Sequence, residues 1–446
     1  MKEKNIRKIA LNILDHLEET DGYSNLVVNK LVHKDEMSYQ DKRFISNLVY
    51  GVLENRIFLD YVIRKYSSIR LKKIQGSTLN ILRMGAYQLI FLDKVPDSAA
   101  VNESVILVKK ANPRSTGFVN GILRSMVREK DNLPLPKRDD DLVEYLSVKY
   151  SHSKWIVEKF IGDFGEEFAE GILQANNNKP LMNIRANTLK NTREELILKL
   201  EAIGMGVSAS KFNKSGIIVN SFDESIVNVD LYKEGCFVIQ DNGSMLISEI
   251  LDPKPGERVL DVCSAPGGKT THIAELMQNK GIVVARDIYD HKLELVNNSV
   301  NRLGILIVET DLHDGTLFKE SEEKSYDKVL LDAPCSGFGI IRRKPEIKYN
   351  KSLDDVISLS SLQYEMLVVN SKYLKVGGEM IYSTCSINKE ENENVVDKFV
   401  KENDEFEIVD ISDKISTIDI ETKTITLYQS FNETDGYFIC KLKRIK

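Results

Sequence analysis

The sequence predicts a multidomain chain: an all-α N-terminal domain, a small α+β middle domain, and a C-terminal α/β domain on a doubly wound, mainly parallel sheet. Three observations lead to this. Over residues 5–130, apolar residues recur at spacings of three and four, with no strand-like alternation. Between 180 and 240, short apolar runs flank a single helical pattern. From 257 onward, apolar strands alternate with helical segments, the pattern of βαβ units.

The elements follow in order. The N-terminal helices read as "IRKIALNILDHL", "FISNLVYGVLENRIFLDYVIRKY", "STLNILRMGAYQLIFL", "AAVNESVILVKKA" and "TGFVNGILRSMVREK". Asp97 or Ser98 is expected to cap the helix after Pro96, and Ser115 or Thr116 the one after Pro113. Residues 1–130 form this helical domain, and the proline-containing, charge-rich 131–141 is a linker. Residues 142–240 hold a helical connector, which contains Trp155, and then the α+β module. In that module "PLMNIRANTL", "GIIVNSF" and "GCFVIQD" read as strands, and "TREELILKLEAIG" as a helix starting at a Thr cap. Residues 241–446 complete the chain with the strands "RVLDVC", "GIVVARDI", "ILIVETD", "DKVLLDAP" and "GEMIYST".

Composition narrows the function classes. No apolar run approaches the ~18 residues of a membrane span, and "MKEKNIRKIALNILDHLEET" lacks a signal-peptide core. The five cysteines are far apart and form no C-x-x-C pair, which argues against a disulfide framework or a metal site and for a reducing, cytoplasmic setting. The net charge of −6 is uneven: residues 1–130 carry 22 Lys/Arg against 14 Asp/Glu, so the remainder is strongly acidic. A basic module on an acidic chain points to a polyanion such as nucleic acid, although a solvated helical surface would look the same.

"VLDVCSAPGGKTTHIAELM" (259–277) is a strand, a glycine turn and a helix, the usual ligand end of an open α/β sheet. Gly267 and Gly268 allow close backbone approach, and the following helix offers unpaired N–H groups. The stretch is neither a Walker A loop, since Cys263 stands where the first glycine belongs, nor G-x-G-x-x-G. Asp261, Asp287, Asp311 and Asp332 each lie near the end of a successive strand. One such Asp is ordinarily a helix cap, but four outline a pocket for an adenosine-type ligand. Asp287 is suited to ribose hydroxyls and Asp311 to an adenine amino group.

Two further strands end in cysteines, "LLDAPCSGFGIIRRKPEIK" and "YSTCSINKEENENVV". Together with "DVCSAPGGKT" they resemble motifs IV, VI and I of the S-adenosylmethionine-dependent RNA cytosine-C5 methyltransferases, the NOL1/NOP2/Sun group. The basic helical domain is similar to the NusB antitermination fold. The combination resembles the RsmB/Sun (Fmu) family of bacterial 16S rRNA (cytosine-967-C5) methyltransferases over nearly the whole chain. The resemblance implies a NusB-like N-terminal domain, an RRM-like middle domain and a Rossmann-like catalytic domain. It also implies S-adenosylmethionine as cofactor and 16S rRNA as partner, with no membrane, metal or obligate protein partner. It assigns cofactor binding to Cys263 (through its backbone), Ser264, Ala265, Pro266, Gly267, Gly268, Lys269, Asp287, Asp311 and Asp332.

The chemistry explains two cysteines. C5 of cytosine is a weak nucleophile, and thiolate addition at C6 makes it carbanion-like. After methyl transfer the C5 proton must leave and the thiolate must be eliminated, so a second group is useful. Cys385 precedes "NKEENENVVDKFV", whose helix N-terminus could favour a thiolate, while Glu390, Glu391 and Glu393 would oppose it if they faced the sulfur. Chemistry alone does not rank the two thiols. The resemblance makes Cys385 the nucleophile and Cys335 the residue assisting release, with Asp332 on the base edge and Lys269 beside it. Cys236 and Cys440, inside apolar strands, read as packing residues. Arg342, Arg343 and Lys344, following motif IV, can meet RNA phosphates. A tRNA methyltransferase of the same group, or a non-catalytic RNA-binding factor, is the alternative, and intact cysteines and aspartates count against the latter.

Overall fold

The computed structural model describes residues 5–20, 27–28, 37–412, 423–430 and 434–446. It divides into two compact units, Met1–Asn178 with Ile341–Asn350, and Lys179–Ile340 with Lys351–Lys446.

The first unit is helical. The helix Gly76–Phe91 is buried on nearly every side and carries Asn80, Arg83 and Gln88 into the core. Helices Ile6–Thr20, Tyr39–Glu54, Arg56–Tyr66, Asp97–Ala111 and Thr116–Arg128 pack around it. A guanidinium is tolerated there because its donors are matched: Arg83 Nε and Nη2 donate to Asp60 at 2.7 and 2.8 Å, and Nη1 donates to Glu18 at 2.5 Å. Pro96, rather than Asp97 or Ser98, occupies the first of the expected N-cap positions; Ser115 holds the second as expected, and neither helix has a side-chain cap bond. Asp97 is already in the first turn, where its carboxylate meets the helix dipole and pairs with Lys130 at 3.0 Å. Thr116 Oγ1 instead donates to the Pro113 carbonyl at 2.7 Å. Helices Leu142–Tyr150, Lys154–Phe164 and Glu166–Ala175 follow. The segment Ile341–Asn350 is held in this unit by Lys348 Nζ, which donates to the Glu54 carbonyl at 2.9 Å, and by the Tyr349 hydroxyl, which accepts from Arg56 N at 3.2 Å.

The second unit holds two sheets. The smaller consists of β1 (Met182–Ala186), β2 (Gly206–Ala209), β3 (Gly216–Ser221) and β4 (Phe237–Ile239), antiparallel in the order β2-β3-β1-β4. The helix Arg193–Ala202 starts at the expected threonine: Thr192 and Glu195 form a reciprocal capping box. The larger sheet comprises β5 (Arg258–Asp261), β6 (Ile282–Asp287), β7 (Val308–Leu312), β8 (Tyr326–Asp332), β9 (Leu374–Thr384), β10 (Phe406–Val409), β11 (Ile425–Leu427) and β12 (Tyr437–Arg444). Its order is β10-β12-β9-β8-β5-β6-β7, with β11 paired to β12. Strands β5 to β9 are parallel, and β12 runs antiparallel beside β9. Because the five are parallel, Asp261, Asp287, Asp311 and Asp332 reach the same edge of the sheet.

Candidate active site

The glycine turn leaves β5 at Asp261 and enters the helix Gly268–Leu276. Gly267 has φ of 100°, a conformation other residues rarely adopt, and a Cβ there would meet Val296 Cα at 3.2 Å. At Gly268 a Cβ would meet nothing nearer than Gln240 at 3.8 Å, so this edge is open. The turn is tied by Ser264 N to Arg286 O at 2.8 Å and Gly267 N to Ser264 O at 2.7 Å. Thr270 Oγ1 donates to Asp261 Oδ2 at 2.7 Å. Asp261 Oδ1 and Ser264 Oγ are buried without a hydrogen-bond partner. Burial pushes the Asp261 carboxyl up to about 7, against the Thr270 hydrogen bond. Cys263 is half-buried, and burial with the surrounding aspartates pushes its thiol well up, consistent with a backbone role. Asp287 accepts from Tyr289 N at 3.1 Å through Oδ1, with Lys292 at 3.5 Å. Asp311 lies against Arg286 at 3.0 Å and Lys319 at 3.4 Å.

The two cysteines meet because β8 and β9 are parallel neighbours, with Asp332 opposite Ser383. Cys335 Sγ and Cys385 Sγ are 3.2 Å apart, although 50 residues separate them. Lys269 Nζ donates to Asp332 Oδ2 at 2.7 Å, and Ser383 Oγ donates to Oδ1 at 2.9 Å. Burial works to lower the Lys269 pKa, but the adjacent Asp332 carboxylate leaves it raised, so the ammonium persists. The Cys385 sulfur, burial and the Glu391 charge push the Cys335 thiol well up. Gly339 completes the packing: its N–H donates to Cys385 O at 2.9 Å, and a Cβ there would meet Gly436 O at 2.0 Å.

The helix expected to begin just after Cys385 starts only at Glu393. The intervening turn is instead organised by a buried carboxylate. Glu391 Oε1 accepts from Ser336 N at 2.7 Å and Gln363 Nε2 at 3.1 Å. Its Oε2 accepts from the Ser336 hydroxyl, Ser386 Oγ at 2.8 Å and Asn388 Nδ2 at 3.3 Å. Ser336 and Ser386 each follow a cysteine, so one carboxylate fixes both thiol-bearing turns.

Sequence reasoning also missed Arg185. Fully buried on β1, it donates to Glu275 at 2.8 and 3.0 Å, to Thr271 Oγ1 at 3.0 Å and to the Gly268 carbonyl at 2.8 Å, and it also reaches Gln240. It thereby braces the first turn of the helix that bears Lys269. A buried arginine in an apolar strand was the available signal. Cys236 and Cys440 are buried. Arg342 is 8% exposed, whereas Arg343 and Lys344 are half-buried.

Three family models match the chain in tandem: the NusB family over residues 4–128, the ferredoxin-like domain of RsmF/B-like methyltransferases over 152–224, and the 16S rRNA methyltransferase RsmB/F family over 248–443. A Bacillus subtilis protein described as a probable ribosomal RNA small subunit methyltransferase B is 36% identical, with 100% of both chains covered. The chain belongs to the RsmB/F methyltransferase family. A Synechocystis relative with the same description is 30% identical over 98% of this chain and 99% of its own. The crystal structure of PH0851 superposes with a TM-score of 0.83 at 29% identity, covering 98% of each chain. The expected fold class therefore stands: a NusB-type helical domain, a ferredoxin-like middle domain and a methyltransferase domain with a mixed sheet.

Proposed function

We propose that this enzyme methylates C5 of a cytosine in 16S rRNA, of the position-967 type, through a covalent adduct between Cys385 and C6 of the base. The observation that carries the reading is the pair of thiols 3.2 Å apart beside the Lys269–Asp332 ion pair, at the cofactor edge of the sheet. The names of the relatives support rRNA as the substrate class.

The cofactor turn fits S-adenosylmethionine. The open backbone at Gly268 and the orphaned polar atoms of Asp261 and Ser264 suit the methionine end, and Asp287 suits a ribose diol. When bound, the cofactor supplies an electrophilic methyl group. Residues 263–269 and Asp287 hold and orient it, with Asp311 and Asp332 completing the pocket. The Cys385 thiolate adds to C6, and the electron pair of the C5–C6 double bond becomes available at C5. Asp332, oriented by Lys269 and Ser383, hydrogen-bonds the base edge and favours protonation at N3. Release requires loss of the C5 proton to a base or water, return of the N3 proton to solvent, and cleavage of the C6–S bond, which returns Cys385 as a thiolate. We assign assistance in this step to Cys335, whose raised pKa keeps it a thiol while Cys385 attacks. Because the reacting carbon is hidden in a stack, the target must be unpaired or extruded. Arg342, Arg343 and Lys344, which follow the Cys335 turn in the chain, are proposed to meet RNA phosphates.

Bisulfite mapping of small-subunit RNA, from cells lacking the protein and from cells with it restored, tests the reading. A single cytosine should regain protection on restoration. No protected cytosine in 16S rRNA, or one in tRNA, would overturn it.

A further inference from the structure

The two active-site thiols stand closer to each other than base addition requires, since that reaction uses one sulfur at a time. Cys335 Sγ and Cys385 Sγ touch at 3.2 Å. Both residues are half-buried, so a small solute can reach them, whereas Cys236 and Cys440 are buried. The turns that carry the pair are tied on both sides. Ala333 N donates to the Ser383 carbonyl at 2.9 Å ahead of the cysteines, and Gly339 N donates to the Cys385 carbonyl at 2.9 Å beyond Cys335. Between these ties, Ser336 Oγ and Ser386 Oγ are 3.1 Å apart, and both reach the Glu391 carboxylate.

A sulfur–sulfur bond is about 2.05 Å long, so the pair has only ~1.2 Å left to close. Rotation about the two Cα–Cβ bonds can supply that displacement while the backbone ties stay in place. The electrostatics divide the roles. The Lys269 ammonium lies within reach of the Cys385 sulfur, and a thiol beside a cation is the setting in which oxidants find a reactive sulfur. The Cys385 sulfur, burial and the Glu391 and Asp332 charges hold Cys335 as a thiol. A reactive sulfur with a second thiol in contact is the arrangement in which oxidation stops at a disulfide.

We infer that Cys335 and Cys385 are a site of reversible oxidation, joined as an intramolecular disulfide when the enzyme meets a hydroperoxide, and that this bond switches methyl transfer off. The Cys385 thiolate attacks one peroxide oxygen, the O–O bond breaks, and hydroxide leaves to take up the proton that Cys385 had released. The resulting sulfenic acid is attacked by Cys335: the S–S bond forms, the S–O bond breaks, and the hydroxyl departs as water with the Cys335 proton. Two thiols are oxidised and one hydrogen peroxide is reduced to two waters. Once linked, neither sulfur can add to C6 or assist release. The contact also protects the site, because Cys335 consumes the sulfenic acid before a second peroxide carries it irreversibly to the sulfinic acid. Only the loss of methyl transfer rests on the proposed function. The linkage is read by mass, so a failure of the switch and a failure of the cytosine chemistry appear separately.

The test treats the full-length protein, freed of reductant, with hydrogen peroxide at stoichiometric and slightly higher amounts. Non-reducing peptide mass spectrometry then locates the oxidised sulfurs. The expected product is one linked peptide pair carrying Cys335 and Cys385, two hydrogens lighter than the separate peptides, with Cys236, Cys263 and Cys440 still free. Methyl transfer to a 16S rRNA transcript should fall in proportion to the linked fraction and return in full on adding dithiothreitol. A Cys335→Ser protein lacks the second thiol, so its Cys385 should pass to the sulfinic acid, with no recovery of free Cys385 in dithiothreitol. Sulfinic acid at Cys385 of the unsubstituted protein with Cys335 left free would overturn the inference. So would a link from either residue to Cys263, a link between two chains on a non-reducing gel, or full methyl transfer by the linked protein. Equal recovery of free Cys385 with and without Cys335 would overturn the protective role.

Discussion

Replacing Glu391 by Gln should loosen both cysteine turns at once. The carboxylate accepts five hydrogen bonds, from Ser336 N, the Ser336 hydroxyl, Gln363, Ser386 and Asn388. A glutamine oxygen at the Oε1 position can keep Ser336 N and Gln363. The NH2 group then faces two hydroxyls, which can rotate to accept, and the Asn388 amide, which must turn away. Every bond also loses its charge assistance: hydrogen bonds to charged groups contribute ~1.5–3 kcal/mol, and neutral ones ~1 kcal/mol. Allowing for non-additivity, the loss is about 2–4 kcal/mol in folding stability. Because displacements of ~1 Å at reacting groups can cost ~100-fold, single-turnover methyl transfer should fall about 10- to 100-fold. Denaturant unfolding and rapid-quench transfer assays measure the two effects, with S-adenosylmethionine affinity nearly unchanged because residues 263–269 are not touched. A Glu391→Gln enzyme with wild-type stability and rate would refute the claim that this carboxylate positions the thiols.

Other outcomes follow from the same geometry. Cys335→Ala should accumulate an RNA adduct through Cys385, seen as a gel shift that survives denaturation, and its absence with a competent substrate would remove Cys335 from release. Arg185→Met leaves the buried Glu275 without its partner, so stability should drop by about 3–5 kcal/mol in denaturant titrations. Asp261 has a folded pKa of about 7, above its ordinary value of 3.8, so the native state binds a proton that the unfolded chain does not. Its contribution is therefore full below about pH 4 and is lost as pH rises to about 7. Asp261→Asn should flatten the pH dependence of thermal stability in that window, by up to ~1.4 kcal/mol per pH unit, and leave the trend above it unaltered.

Much of this architecture was legible because one residue pattern served one environment. Strands β5, β6 and β8 are buried along most of their length and carry short apolar runs (Val259–Leu260, Ile282–Ala285 and Val329–Leu331), and Thr192 with Glu195 announced its helix. Strand β12 was obscured because Lys441 and Arg444 are buried within it. Their charges are matched across space by Glu379 at 2.8 Å and Glu405 at 2.9 Å, which no local pattern reveals. The same holds at the site. Cys335, Cys385, Asp332 and Lys269 announced themselves by motif, but Glu391 looked like one acid in the run "KEENEN", and its five hydrogen bonds come from four residues in three segments. The start of the helix at Glu393 was also misplaced, because Asn388 and Asn392 spend their side chains on the turn around Ser386 and Glu391.

The central claim is that Cys385 attacks C6. A 16S rRNA transcript in which 5-fluorocytidine replaces cytidine tests it directly, because the fluorine on C5 cannot leave as the proton does and elimination is blocked. After incubation with S-adenosylmethionine and nuclease digestion, peptide mass spectrometry locates the nucleotide-bearing residue. The account predicts a modified peptide containing Cys385, with Cys335 unmodified. Attachment at Cys335, or methyl transfer with no covalent complex at all, would contradict it.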